Sequence, residues 1–208
     1  MVLASGDKMP QVGLGLWKIG KDVCADIVYN AIKNGYRCLD GACDYGNEVQ
    51  VGEGIKRAID EGICTRKDLF IVTKLWNTFH RPENVKLACQ KSMTDLGVDY
   101  LDLYLIHFPI ALKFVPIETV YPPEWNNTSE GAPRMIPDEG VAYHQTYGAM
   151  EQLVRDGLVR NIGCSNINSA FIHQVLKYAT IKPAVLQVEM HAYLQQPKLL
   201  RMCREKNI

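Results

Sequence analysis

The polar residues of this sequence that could do chemistry stand where apolar runs break off. Tyr36–Leu39 stops at Asp40, Leu69–Thr73 at Lys74, Tyr100–Ile106 at His107, and Val159–Cys164 at Ser165-Asn166. An ionised Asp or Lys at the end of a buried run is costly unless paired. Asp40 and Lys74 lie on successive runs and are each other's most economical partner; His107 ends the next run. Tyr45 follows Asp40 closely. A phenol beside the Lys74 ammonium is expected to have its pKa lowered, which would make it a competent general acid. Taken singly, Asp40, Lys74 and His107 read as capping or satisfied core residues. It is their convergence that argues for proton transfer. Trp17, Trp76 and Phe108, with Phe114 and Trp125, could wall a small-molecule pocket around them. Core packing of Trp17 and Trp76 is the competing account.

The elements that must position these groups alternate. Strand-like runs cover Val12–Trp17, Tyr36–Leu39, Leu69–Thr73, Tyr100–Ile106, Val159–Cys164 and Ala184–Val188. Amphipathic stretches lie between them: Asp22–Asn34, Asn47–Glu61, Pro82–Leu96, Gly140–Asp156 and Ser169–Ala179. A last one opens at Pro197 and is still running at Ile208. Gly35, Gly62, Gly97 and Gly157 follow helical stretches, where a left-handed cap favours glycine. Strand–helix alternation implies a parallel sheet with right-handed crossovers. The strands are continuously apolar, as expected when both faces are covered. An open doubly wound sheet and a (β/α)8 barrel both fit this pattern. Gly13-Leu14-Gly15-Leu16-Trp17-Lys18 fails the Gly-x-Gly-x-x-Gly fingerprint at Lys18, and Trp17 would block a pyrophosphate. There is no Walker loop, so the barrel is favoured, with the run ends on its active face. The stretch 108–143, rich in proline, is too long for a simple connection and reads as a functional loop over the mouth.

Composition bounds the alternatives. The chain has 208 residues, with 23 Lys+Arg against 23 Asp+Glu. That length suits a single domain with a sizeable core. The charge balance lacks the basic footprint of nucleic-acid binding and argues against an anionic membrane surface. No apolar run reaches the roughly 18 residues of a span, and with no basic start and no apolar centre the first residues are not expected to form a signal peptide. A cytoplasmic protein with reduced thiols is expected. The seven cysteines include no Cys-x-x-Cys, which argues against zinc and disulfide frameworks, so no metal is expected. The overlapping sequons at Asn126 and Asn127 are expected to be unused.

Longer stretches carry a family resemblance. Gly35-Tyr36-Arg37-Cys38-Leu39-Asp40-Gly41-Ala42 with Tyr45-Gly46-Asn47-Glu48 resembles the first signature of the aldo-keto reductases. Lys74-Leu75-Trp76-Asn77 and Leu105-Ile106-His107-Phe108-Pro109 are similar to that family's lysine and histidine segments. Ile162-Gly163-Cys164-Ser165-Asn166 and Ile181–Glu189 are similar to its fifth and sixth strands. Phe114–Glu118 and Tyr121-Pro122-Pro123 resemble the loop of the yeast-type D-xylose reductases. The resemblance covers essentially the whole chain, as one domain over 1–208. It departs at Ile167, where an aromatic is usual, and at Ala192, where Pro is common.

The resemblance implies an incomplete (β/α)8 barrel of six βα units with a short N-terminal β segment, and NADPH or NADH as cofactor. It implies Tyr45 as proton donor, Lys74 as the neighbour that lowers its pKa, Asp40 as the partner of Lys74, and His107 as the group orienting the carbonyl. Ser165, Asn166 and Gln187, with Asp40, would hold the nicotinamide end. Trp17, Asp44, Trp76, His107 and Phe108 would face the substrate, a small aldehyde or aldose, with D-xylose to xylitol as the leading expectation. Family chains continue through two further strands, a loop gripping the cofactor's 2′-phosphate and a C-terminal substrate loop. That comparison makes a truncated, inactive product or a non-catalytic interaction form the alternative. It also makes self-association through open barrel edges an expectation.

Overall fold

In the computed structural model, residues 1–125 and 135–208 are described; the sequons at Asn126 and Asn127 lie outside them. Six strands form one parallel sheet in chain order: β1 (Leu14–Gly15), β2 (Cys38–Asp40), β3 (Phe70–Leu75), β4 (Leu101–Ile106), β5 (Val159–Ser165) and β6 (Val185–Gln187). Helices α1 (Lys21–Lys33), α2 (Glu48–Asp60), α3 (Pro82–Leu96), α4 (Tyr143–Arg155), α5 (Ser169–Tyr178) and α6 (Pro197–Lys206) cover its outside. The sheet is the curled wall of an incomplete (β/α)8 barrel. Among the described residues, β1 pairs only with β2, and β6 only with β5.

Most expected elements are present, with shifted ends. β1 is much shorter than Val12–Trp17, α4 starts at Tyr143 rather than Gly140, and α6 ends at Lys206 rather than running through Ile208. Lys74 lies inside β3, which extends one residue past it, and Ser165 lies inside β5. A charged residue can end a strand's apolar run without ending its ladder, because backbone pairing continues beneath it. The Lys74↔Leu105 and Ser165↔Gln187 pairs are that continuation.

Side-chain alternation along these strands assembles the site. Cys38, Phe70, Val72, Leu103, Leu105 and Ala184 pack together in the barrel interior with Leu3. Leu39, Ile71, Leu75, Tyr104, Ile106, Ile162 and Cys164 belong to the larger core under the helices. Continuing the inner set by two residues reaches Asp40 on β2, Lys74 on β3 and His107 just past β4. Period two therefore aims these groups into the same lumen at the same end. Gly163 draws β5 against β6: a Cβ there would stand 2.3 Å from the Val185 carbonyl oxygen. Any larger residue would push apart the strands that place Ser165 beside Gln187.

Candidate active site

Lys74 is the hub. Its side chain is 1% exposed, and its ammonium donates to Asp40 Oδ1 at 3.0 Å, to the Gly41 carbonyl at 2.8 Å and to the Tyr45 phenol oxygen at 3.2 Å. Such a buried cation persists only with partners of this quality. Gln187 Nε2 donates to the same Asp40 oxygen at 3.1 Å, joining β6 to β2 across the lumen. Tyr45 ends the 3-10 turn Cys43–Tyr45 that follows β2, and its ring meets His107 edge-on at 5.9 Å. The His107 carbonyl accepts from Asn166 Nδ2 at 2.9 Å, and the same Nδ2 donates to Ser165 Oγ at 3.1 Å. Contacts thus run unbroken from Gln187 through Asp40, Lys74, Tyr45, His107 and Asn166 to Ser165.

Burial sets the proton affinities. The expected lowering of the Tyr45 pKa is not what the geometry yields. Lys74 pulls it down, but burial of the phenol outweighs that pull, with Asp40 and Asp44 adding to the rise, so the net shift is upward. Tyr45 is therefore protonated at neutral pH, and the Lys74 ammonium 3.2 Å away is placed where it would stabilise a phenolate. His107 is pushed down to about 3 by burial first and by Lys74 second, which keeps the imidazole neutral. Its Nδ1 is buried and unpartnered among the described residues. Asp44 is pushed up to about 6 by burial and then by Glu124, and its Oδ1 is likewise unpartnered.

The wall differs from expectation in two places. Trp17 is 64% exposed at the mouth, 6.4 Å from the Tyr45 ring. Trp76, in contrast, is fully buried. It packs against His107 at 5.2 Å and Trp125 at 4.8 Å, and its Nε1 donates to the Glu124 carbonyl at 3.0 Å. Phe108 and Trp125, 4.9 Å apart and half-buried, cover it and form the accessible surface. Phe114 packs on Phe79 instead, at 5.8 Å. Among the described residues of the stretch 108–143, Leu112 bridges to Pro137, and Asp138 accepts from Arg81 and Lys113.

The donor set suits a carboxamide. Asn166, at φ 58°, and Gln187 each commit an amide N–H to the protein. Their carbonyl oxygens and the Ser165 hydroxyl remain to meet the N–H2 and C=O of a nicotinamide. Two residues without an assigned role complete the frame. Asn47, which the helical pattern places as the start of α2, makes no cap bond; its Nδ2 donates to the Leu16 and Ile19 carbonyls at 3.0 and 3.2 Å, tying the Trp17 loop to the Tyr45 turn. Glu48 is buried behind β3. Both are polar residues at the head of an amphipathic helix, a position that ordinarily signals capping.

Comparison with known proteins agrees with this geometry. The sequence model described as "Aldo/keto reductase family" matches residues 11–208. The chain is 51% identical over 209 residues to the NADPH-dependent aldose reductase of Saccharomyces cerevisiae, covering 100% of this chain and 64% of that one. It is 53% identical over 208 residues to the NADPH-dependent D-xylose reductase of Meyerozyma guilliermondii, covering 100% and 65%. Among solved structures, the Schistosoma japonicum aldose reductase superposes with a TM-score of 0.89 at 38% identity, covering 100% and 66%. A Bombyx mori aldo-keto reductase in complex with NADP superposes with a TM-score of 0.87 at 36% identity, covering 100% and 63%. The chain thus spans under two thirds of the length of the curated relatives it matches.

Proposed function

The chain belongs to the aldo/keto reductase family, and from that premise we propose that its site reduces an aldehyde or aldose, D-xylose to xylitol foremost, with NADPH or NADH. The observation that carries the reading is the contact chain from Gln187 to Ser165, which contains a proton donor, a charge to stabilise its conjugate base and a carboxamide cradle. Ser165, Asn166 and Gln187 would hold the nicotinamide, which supplies the hydride when bound. Tyr45 gives its phenolic proton to the carbonyl oxygen. Lys74, held by Asp40 and the Gly41 carbonyl, stabilises the resulting phenolate. His107, neutral because of its burial, is positioned to orient the oxygen by hydrogen bonding. Trp17, Phe108 and Trp125 shield the reacting carbon, and Asp44 is an acceptor for sugar hydroxyls. Its carboxylate and the half-open mouth favour a small polyhydroxylated substrate over a bulky apolar one.

The test is D-xylose-dependent oxidation of NADPH, with Tyr45→Phe as the probe. The expected outcome is a loss of about 10² to 10⁴ in turnover with NADPH affinity, read from tryptophan fluorescence, unchanged. A Tyr45→Phe protein that turns over normally would remove Tyr45 from the acid role. A wild-type protein that binds NADPH but reduces no aldehyde would favour a non-catalytic binding role for the scaffold.

A further inference from the structure

We propose that Glu48 is a positioning residue for the Tyr45–Lys74 pair, its buried carboxyl locking the turn that carries the phenol to the strand that carries the ammonium. The inference rests on the reading of Tyr45 as proton donor. Glu48 opens α2, close behind Tyr45 in the chain, and is 4% exposed. Its Oε1 accepts from the Thr73 hydroxyl at 2.6 Å. Its Oε2 accepts from Ser92 on α3 at 3.0 Å and from Tyr121 in the long loop at 3.4 Å.

Thr73 is the informative partner. It precedes Lys74 on β3, so alternation points it away from the lumen while Lys74 points in. A bond to Thr73 therefore fixes the strand at Lys74 from behind without entering the reaction space. The other end of the lock is equally short: only Gly46 and Asn47 separate Tyr45 from Glu48, and Asn47 is itself pinned to Leu16 and Ile19. The distance between phenol and ammonium is thus defined by a closed ring of contacts: Tyr45 to Glu48 along the chain, Glu48 to Thr73 by hydrogen bond, Thr73 to Lys74 along the chain, and Lys74 back to Tyr45. Keeping a carboxyl here is costly, and its proton affinity is raised to about 7 chiefly by burial. Stability alone is weak ground for such a group, whereas fixing a donor near an ammonium requires a rigid acceptor that takes bonds from several elements. A misplacement of about 1 Å in such a pair costs on the order of 10²-fold in rate.

The limbs of the lock can be cut separately. Thr73→Val removes the bond to β3 and keeps the side-chain shape; Ser92→Ala removes a comparable bond to α3, which carries neither reacting group. Both should lower Tm by a similar few degrees, about 2–4 °C. Only Thr73→Val should move the Tyr45 ¹³Cζ NMR resonance, assigned by its loss in Tyr45→Phe, towards the position of a free phenol at pH 8. Only Thr73→Val should lower kcat, by about tenfold, with KM changed less than about threefold. Glu48→Gln, which keeps the shape and an acceptor for Thr73, should leave the resonance in place. An unmoved resonance in Thr73→Val, or an equal displacement in Ser92→Ala, overturns the proposal. The NMR comparison needs no turnover, so an inactive wild type would count against the reductase reading while leaving this one to be decided.

Discussion

Replacing Lys74 with Met separates the structural and chemical roles of the hub. The side chain keeps its length and loses an ammonium that makes three contacts, to Asp40, Gly41 and Tyr45. Removing one partner of a buried ion pair costs about 3–5 kcal/mol. Asp40 is not fully buried, its side chain being 27% exposed, and it keeps the Gln187 bond at 3.1 Å. Solvent and that surviving donor reduce the penalty to about 2–3 kcal/mol. For a chain of this size that corresponds to a fall in Tm of about 5–10 °C. Turnover should fall by about 10² to 10⁴, because the phenolate left by proton transfer loses its counter-charge. Tyr45→Phe should match the kinetic loss with only a small change in Tm. The double variant should be no slower than either single one, as expected of groups that act as a unit. The measurements are thermal unfolding by circular dichroism and single-turnover NADPH oxidation with saturating aldose. A Lys74→Met protein that melts like wild type, or single-variant losses that multiply in the double, would refute the account of Lys74 as one hub serving both fold and chemistry.

Two further predictions concern desolvated carboxyls, Asp44 half-buried and Glu48 buried. Asp44, at about 6, should bind sugar hydroxyls best when ionised, so KM for an aldose should fall as pH rises through 6, and Asp44→Asn should flatten that dependence. Glu48 has a folded-state value of about 7 against an ordinary 4.5. The stability it contributes is therefore fully present below pH 4.5 and lost as pH rises through 7. Urea unfolding of wild type and Glu48→Gln at pH 5 and pH 8 should show a difference between the two proteins that changes by about 2–3 kcal/mol, wild type gaining at the lower pH.

The parts of the site that the sequence discloses are those where two periodicities agree. Asp40, Lys74 and His107 interrupt apolar runs, and on a strand an interruption in step with inward residues can point only into the lumen. Those three could be read from pattern alone; the barrel that holds them needed, beyond strand–helix alternation, the failed Gly-x-Gly-x-x-Gly fingerprint to set it above an open sheet. Tyr45 could be singled out by its closeness to Asp40, although a turn has no period to say where its side chain aims, whereas a nicotinamide role for Ser165, Asn166 and Gln187 came only with the longer resemblance. What stayed hidden depends on contacts between distant segments. Glu48 looks like any acidic residue in a first helical turn until Thr73, Ser92 and Tyr121, from three separate elements, close on it. Trp76 looks like a pocket wall until Trp125 is laid across it.

The direction of the Tyr45 shift was hidden for a related reason. Adjacency to a lysine can be inferred from a motif, but desolvation depends on everything else packed around the phenol, and here it is the larger effect. The consequence is mechanistic. A donor whose proton is held tightly at rest cannot owe its reactivity to an already weakened O–H bond. On the proposed reading, Tyr45 gains from a charge that becomes effective only as the proton leaves, and the buried ammonium fixed 3.2 Å away would provide that charge with little reorganisation at the moment of transfer.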